Sequence, residues 1–184
     1  MVLTILVSCS SSGRESPDYP IRPVPFTSVR VTDDFWAPRI RTNHRVTIPI
    51  AFEQSEKTGR IRNFKIAAGL ETGQFCSQYP FDASDVYKII EGAAYSLQTE
   101  PDPELEAYLD DLITLIAGAQ EEDGYLYTYR TIMGDDSHDW VGKRWEKTHL
   151  LSHELYNLGH LYLSLIHISE PTRPLYISYA VFCL

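Results

Sequence analysis

The clearest pattern in the chain is helical and lies between Phe81 and Leu97, in the sequence FDASDVYKIIEGAAYSL. Apolar residues recur there every three or four positions, the spacing of one buried helix face, at Val86, Ile89, Ile90, Ala93, Ala94 and Leu97. Ser84 stands where an N-cap belongs, and Asp82 and Asp85 place negative charge at the positive end of the helix. We therefore predict a helix here and expect the rest of the chain to pack around it.

Two further helices are predicted downstream. Asp102-Pro103-Glu104 is a strong helix start, with an aspartate cap and a proline in the first turn. The apolar residues that follow keep the same spacing over four turns: Leu105, Leu109, Leu112, Ile116 and Ala119. Gly124 supplies a left-handed residue after this helix, and Tyr125–Tyr129 alternates like an extended loop or a short strand. Ser152 is placed to cap a last helix, HELYNLGHLY.

The segment before the central helix carries weaker signals. Thr27–Thr32 (TSVRVT) alternates valine with polar residues and predicts a short strand. Trp36–Lys57 predicts a helix interrupted at Pro38 and Pro49, and residues 63–69 predict a short helix. Because strands and helices do not alternate, the pattern argues against a parallel α/β sheet and favours an array of antiparallel helical hairpins.

The N-terminal stretch predicts a secreted lipoprotein. An apolar run ends in Leu6-Val7-Ser8-Cys9, which resembles a bacterial lipobox, so residues 1–9 are interpreted as signal and lipobox. Cys9 would then carry a lipid anchor, residues 10–26 would form a linker, and the protein would reside in the bacterial envelope, periplasmic or at the outer-membrane surface. The alternative is a frayed hydrophobic end. No run reaches the ~18 apolar residues of a membrane span.

The C-terminal stretch departs from the helical pattern. Residues 163–184 read LSLIHISEPTRPLYISYAVFCL and resemble a translated sequencing adaptor, so we interpret them as an artefactual tail and exclude them from the functional argument. With Cys9 an acylation candidate and Cys183 in that tail, Cys76 remains. A single thiol forms neither a disulfide nor a metal site, so no metal ligands are predicted in the chain.

Composition narrows the function classes. The 184 residues are 43% hydrophobic and 22% charged, values of a globular domain. Lys and Arg number 16 against 25 Asp and Glu, giving a net charge of −9, so the basic footprint of a nucleic-acid-binding protein is missing. The 12 tyrosines and three tryptophans suit carbohydrate faces as well as ordinary cores.

Three stretches together resemble one known family. FDASDVYKIIEGAAYSL, DPELEAYLDDLITLIAGAQEEDGYLYT and SHELYNLGHLY are similar to glycoside hydrolase family 127, the β-L-arabinofuranosidase-type family. Upstream, VRVTDDFWAPRI and KTGRIRNFKIAAG fit the opening of that family, so the resemblance covers residues 27–162. It implies a mainly α fold, in which this chain supplies the first helical hairpins of an (α/α)6 barrel, preceded by the short N-terminal strand.

The resemblance also implies where the chemistry lies. Members of the family are retaining enzymes with a cysteine nucleophile near a zinc ion and a glutamate acid/base, all in a downstream cysteine-rich segment. Cys76 does not match the motif of the nucleophile, so we assign no catalytic residue and expect this fragment to be inactive. Zinc is expected for the full-length protein and no cofactor for the fragment itself.

The fragment is expected to carry part of the sugar pocket. By motif, His153 matches a histidine that the family places beside the arabinose ring, and Asp85 matches the second acid of its D-[ST]-D-V-Y-K stretch. Ala83 departs from the acidic residue common in relatives, and Asp82 is interpreted as its substitute. The resemblance therefore implies binding of an oligosaccharide from plant cell-wall or pectic glycans. The alternative reading makes the two aspartates helix caps and His153 a structural residue.

Two other functions remain open at this point. One is a non-catalytic surface lipoprotein that binds glycans through a helical scaffold. The other is a different (α/α)6 enzyme, such as an unsaturated glucuronyl hydrolase or a lyase. Tyr87, Trp140 and Trp145 could stack on sugar faces, although core packing is the expected role of Tyr87.

Overall fold

The computed structural model describes residue 21 and residues 24–169. The chain divides into two compact units, Met1–Arg30 and Val31–Leu184. In the first unit, the described part contains one turn of 3-10 helix, Phe26–Ser28. The predicted lipobox with Cys9, nearly all of the predicted linker and residues 170–184 lie outside the described residues.

The predicted strand over Thr27–Thr32 does not form, and residues 24–169 contain no strand. The 3-10 turn takes up the start of the segment, and Val29 after it is extended, with φ −106° and ψ 124°. The alternating pattern therefore agrees with the extended backbone at Val29. A β-strand also needs a neighbouring strand to receive its backbone hydrogen bonds, and an alternating pattern by itself cannot show that one exists.

The second unit is built from helices. Their bounds are α1 Trp36–Thr42, α2 Ile48–Lys57, α3 Arg60–Ala67, α4 Ala83–Leu97, α5 Pro103–Gly118, α6 Thr128–Met133 and α7 Glu154–Ser169. Between α1 and α2 a π-helical segment, Asn43–Thr47, keeps the chain helical from Trp36 to Lys57. The prediction of a mainly α domain is therefore correct in this part of the chain.

The two prolines of the first helical run are accommodated without a break. Pro38 lies in the first turn of α1, where a missing N–H costs little. Pro49 lies in the first turn of α2, directly after the π segment, whose wider turn absorbs the lost hydrogen bond. Gly59, the residue directly before α3, has a φ of 81°, a conformation that favours glycine.

Helix α4 is the centre of the packing, as its pattern predicts. It contacts α2, α3, α5 and α7, and Val86 and Ile90 on its inner face are buried to 0% and 1% exposure. Burying a side chain of that size is worth roughly 1.5–3 kcal/mol. The N-cap prediction for Ser84 is wrong, because the helix begins at Ala83, its N-cap position is Asp82, and Ser84 is buried within it.

The later elements follow the sequence in part. The Asp102 carboxylate caps α5 as predicted, accepting from the backbone N–H groups of Glu104 at 3.0 Å and Leu105 at 3.1 Å. The tyrosine-rich segment behaves differently. Tyr127 is extended, but Thr128 begins the short helix α6 in place of a strand. The three tyrosines of this segment, Tyr125, Tyr127 and Tyr129, form a second hydrophobic core together with Val141.

Helix α7 continues past residue 162 and ends at Ser169, inside the stretch interpreted above as an artefactual tail. Within residues 24–169, no helix combines the length and the hydropathy that a bilayer crossing requires.

Candidate functional site

The three predicted sugar-binding residues lie at the beginnings of two neighbouring helices. Asp82 directly precedes α4, Asp85 lies in its first turn, and His153 directly precedes α7. The rings of Phe81 and His153 meet edge to face with centroids 4.6 Å apart. The packing of α4 on α7 thus brings Asp82 and His153, 71 positions apart in the chain, to one end of the helix pair.

Asp82 is a buried carboxylate with an unused acceptor. The residue is 4% exposed, and its Oδ2 accepts no hydrogen bond among the described residues. Arg60 Nη2 lies 3.5 Å from that oxygen, beyond a good hydrogen bond. Burial raises the pKa of Asp82 above its usual range, against the opposing effect of the Arg60 charge. A buried polar oxygen without a hydrogen-bond partner is uncommon and calls for an explanation, such as a bound water or ion.

Asp85 is in a different environment. Its side chain is 45% exposed, and its Oδ2 accepts from Arg60 Nε at 3.0 Å, with Lys88 Nζ 3.8 Å from the other oxygen. It faces a groove of about 370 Å³ between α2, α3 and α4. His153 is not among the described residues that line this groove. Arg60 therefore links the two aspartates, but Asp85 and His153 do not share this groove.

His153 is held by both its backbone and its ring. Its φ of 53° is a left-handed conformation that residues other than glycine rarely adopt. The His153 carbonyl oxygen accepts from the backbone N–H and the side-chain Nδ2 of Asn157, each at 2.9 Å, which opens α7. The ring packs between Phe81 and Tyr156. Strained conformations of this kind concentrate at binding sites.

A second buried carboxylate, next in sequence to His153, was not predicted as part of the site. Glu154 is 2% exposed, and five groups donate to its two oxygens. The donors are the Tyr125 hydroxyl at 2.6 Å, Arg130 Nη1, the Trp145 backbone N–H at 3.1 Å, the Thr148 hydroxyl at 3.0 Å and the Ser152 hydroxyl at 2.9 Å. We call this set the Glu154 network.

The hydrogen-bond donors around Glu154 determine the direction of its pKa shift. Burial acts to raise the pKa of Glu154, but the hydrogen bonds from Tyr125, Trp145, Ser152 and Arg130 outweigh it and hold the pKa below the usual range. Burial also raises the pKa of the Tyr125 hydroxyl. The Glu154 carboxylate is therefore ionised, and both of its oxygens already accept hydrogen bonds from the protein. Its role is to hold the surrounding segments together, and it is not available to accept from a ligand.

Arg130 extends the network to the loop between α6 and α7. Its Nη2 donates to the carbonyl oxygens of Val141 at 3.2 Å and Gly142 at 3.1 Å, and its Nε lies 2.8 Å from a carboxylate oxygen of Asp135. The network thereby ties this loop to the start of α7. Sequence spacing could not reveal it, because its partners lie up to 29 positions from Glu154.

The aromatic residues singled out from the sequence separate into two roles. Tyr87 is 1% exposed and packs against Phe64, with centroids 5.8 Å apart, so it is a core residue as expected. Trp145 is 41% exposed, and its ring meets Tyr125 edge to face at 5.2 Å. Trp140 lies nearly parallel to Tyr79, at 6.3 Å and 4°. Trp140 therefore belongs to the side of the molecule that carries Phe81 and His153.

The described residues do not fit a zinc site. Among them, no three His, Cys, Asp or Glu side chains are grouped closely enough to hold a metal ion. Cys76 is an exposed free thiol whose Sγ lies 3.5 Å from Arg62 Nη1, and it belongs to no such group.

The family model described as the β-L-arabinofuranosidase, GH127 catalytic domain matches residues 28–173. The chain therefore belongs to glycoside hydrolase family 127, as the sequence motifs predict.

Individual relatives agree with this assignment. The chain is 42% identical over 104 residues to a non-reducing end β-L-arabinofuranosidase of Bifidobacterium longum, a match that covers 56% of this chain and 15% of that protein. The chain is 48% identical to a solved GH127 β-arabinofuranosidase, with a TM-score of 0.81. This match covers 89% of the present chain and 26% of the solved protein. The chain is also 38% identical to a solved GH127 β-L-arabinofuranosidase from Geobacillus stearothermophilus T6, with a TM-score of 0.69. This match covers 78% of the present chain and 22% of the solved protein.

These similarities confirm the predicted fold class, the helices of an (α/α)6 barrel. The chain spans about a quarter or less of the length of the relatives it matches.

Proposed function

We propose that this chain forms one wall of the sugar pocket of a β-L-arabinofuranosidase-type glycoside hydrolase that acts on plant cell-wall or pectic glycans. In this proposal His153 and Asp82 contact the terminal sugar, with Asp85 behind them holding Arg60. The observation that carries the proposal is the contact between the Phe81 and His153 rings at 4.6 Å, because it brings the residue next to Asp82 against the imidazole.

The chemistry of the residues supports binding. A neutral imidazole both donates and accepts hydrogen bonds, and a carboxylate accepts two sugar hydroxyls at once. Asp82 has a free acceptor, whereas the Asp85 carboxylate already binds Arg60 and Lys88. A sugar hydroxyl at Asp85 would therefore share that carboxylate with Arg60. We expect Asp82 and His153 to contribute more to affinity than Asp85.

Binding can be tested by titrating the 184-residue chain with methyl β-L-arabinofuranoside and following heat or tryptophan fluorescence. The variant is His153→Gly, which removes the imidazole but suits φ 53°, so the backbone need not change. We expect binding by the unaltered chain and loss of binding in this variant. His149→Ala, at an exposed histidine of the preceding loop, is the matched control and should bind normally. Equal affinity of His153→Gly and the unaltered chain would contradict the proposal.

We further propose that the nucleophile, the acid/base and the zinc ligands belong to parts of the protein other than residues 24–169. The absence of a metal-ligating cluster in that part, together with the isolation of Cys76, supports this division. We expect no release of p-nitrophenol from an arylated β-L-arabinofuranoside by this chain. Release that is abolished by Cys76→Ala would overturn the assignment.

The predicted envelope location is also a proposal, since Cys9 lies outside the described residues. Mass spectrometry of the chain expressed in a bacterial host, compared with Cys9→Ser, tests it. A mass increase from lipid on the unaltered chain alone is the expected result. Identical unlipidated masses would contradict it.

A further inference from the structure

A half-buried histidine, His160, lies in the part of α7 that packs on α4. Its ring meets that of Tyr156, one turn earlier in α7, edge to face with centroids 4.5 Å apart. Lys88 of α4 approaches the same tyrosine, with Nζ 4.9 Å from the centroid of the Tyr156 ring. Tyr156 therefore contacts both an imidazole of its own helix and a cation of the neighbouring one.

One ring nitrogen of His160 is enclosed without a partner. Its Nδ1 is buried and makes no hydrogen bond within the part of the chain that the structure describes. A neutral imidazole carries its hydrogen on one nitrogen, so Nδ1 can remain without one. A charged imidazole carries hydrogen on both nitrogens, and the Nδ1–H would then be a buried donor without an acceptor. An unpaired donor of this kind destabilises the folded state.

Two charged groups of α4 act on His160 in opposite directions. Burial lowers the pKa of the His160 imidazole below its usual range, and the positive charge of Lys88 lowers this pKa further. The negative charge of Glu91 raises it. Because the net direction is downward, burial and Lys88 together outweigh Glu91, and the folded chain favours the neutral imidazole.

Two contacts hold the Lys88 ammonium in this position. Its Nζ lies 3.8 Å from Asp85 Oδ1, and the face of the Tyr156 ring attracts the cation electrostatically. A positive charge on His160 would therefore meet a like charge that is already fixed. The Lys88 side chain is 39% exposed, so water and salt weaken this repulsion without removing it.

We propose that His160 makes the packing of α7 on α4 sensitive to acid, so that the two helices pack stably while the imidazole is neutral and less stably once it takes up a proton. Because the folded pKa of His160 is lowered, the unfolded chain takes up this proton at a higher pH than the folded chain. The contribution of His160 to stability is therefore complete above its ordinary pKa of 6.5 and is lost as the pH falls toward the folded pKa. This loss begins at a higher pH than that of Glu154, whose ordinary pKa is 4.5.

Urea denaturation of the 184-residue chain, followed by circular dichroism at about pH 7.5 and about pH 5.5, tests this sensitivity. We expect the folding equilibrium constant of the unaltered chain to fall about 3- to 10-fold more over this range than that of His160→Gln, which cannot take up the proton. Lys88→Gln removes the neighbouring positive charge and should give an intermediate loss. His149→Gln, at an exposed histidine before α7, is the matched control and should lose as much as the unaltered chain.

A second measurement decides the question even where His160→Gln fails to fold. An NMR titration of the unaltered chain follows the ring signals of His160, and we expect their midpoint to lie below 6.5. A midpoint at or above that value overturns the proposal, as does an acid loss in His160→Gln equal to that of the unaltered chain. An undiminished loss in Lys88→Gln overturns the role of the Lys88 charge. Neither measurement needs a ligand, so a negative result here leaves the proposed function as it is.

Discussion

Two buried carboxylates lie at the same end of the α4–α7 pair and differ in how they are used. Glu154 is 2% exposed, and its oxygens accept from five donors. Asp82 is 4% exposed, and its Oδ2 accepts from none of the described residues. Their pKa values are shifted in opposite directions, downward for Glu154 and upward for Asp82. Burial alone therefore does not distinguish a structural acid from a binding acid.

The number of donors makes that distinction. A buried acceptor without a partner carries a desolvation cost of about 1–3 kcal/mol, which is offset only when a partner arrives. The saturated Glu154 network anchors the loop before α7 and the strained backbone of His153 next to it. Asp82 Oδ2 lacks such a partner, and in our proposal a sugar hydroxyl supplies one. Glu154 therefore has a structural role, and in our proposal Asp82 is the acid that binds the sugar.

The largest effect on stability is expected from Glu154→Ala. Removing this carboxylate leaves Arg130 buried without its main partner, which costs about 3–5 kcal/mol of the free energy of unfolding. Urea denaturation followed by circular dichroism measures it. Asp123→Ala, which removes the carboxylate that Arg144 binds at the surface, is the control and should shift the urea midpoint far less. Equal shifts of the urea midpoint in the two variants would show that the Glu154 network contributes no more to stability than a surface ion pair.

The acid dependence of stability should be the next largest effect. The folded pKa of Glu154 lies below its ordinary value of 4.5, so the unfolded chain takes up this proton more readily. The contribution of Glu154 is therefore complete above that value and is lost as the pH falls through the folded pKa. We expect the stability gap between the unaltered chain and Glu154→Gln to narrow as the pH is lowered from about 7 to about 3. A constant gap in urea melts across that range contradicts the assignment.

The smallest effect, and one of opposite sign, is expected from Asp82→Asn. Because the folded pKa of Asp82 is raised, its ionised form costs stability at neutral pH, and this cost disappears as the pH falls below the folded pKa. Replacing it by the neutral isostere should raise the melting temperature by ~2–4 °C, about 1 kcal/mol, while weakening sugar binding. Asp85→Asn, at a half-exposed site, should give no such rise. A fall in melting temperature for Asp82→Asn would show that its pairing with Arg60 outweighs its burial.

The long helices could be predicted from the sequence because their signals are local. The spacing of Val86 and Ile90 marks the buried face of α4, and the Asp102 carboxylate caps α5 where its sequence position predicts. Asp85 and His153 could be proposed from family motifs and Asp82 from its place beside Ala83, whereas the contact between the Phe81 and His153 rings depends on the packing of α4 on α7.

Features that depend on distant partners could not be predicted in this way. Val29 is extended, but whether a strand pairs with it is decided elsewhere in the chain. The helix that begins at Thr128 is short, and buried contacts of its tyrosine and arginine override the alternating pattern. Glu154 reads as an ordinary acid in the first turn of a helix. Its donors Tyr125 and Arg130 are identified only by the three-dimensional arrangement.

The left-handed backbone at His153 has a consequence for directed evolution. A library randomised at this codon and selected for expression should enrich glycine and asparagine, which tolerate φ 53°, at the expense of histidine. The same library panned on immobilised glycan should return histidine. If the two selections return different amino acids at this position, the difference would mark the codon as functional without any assay of hydrolysis.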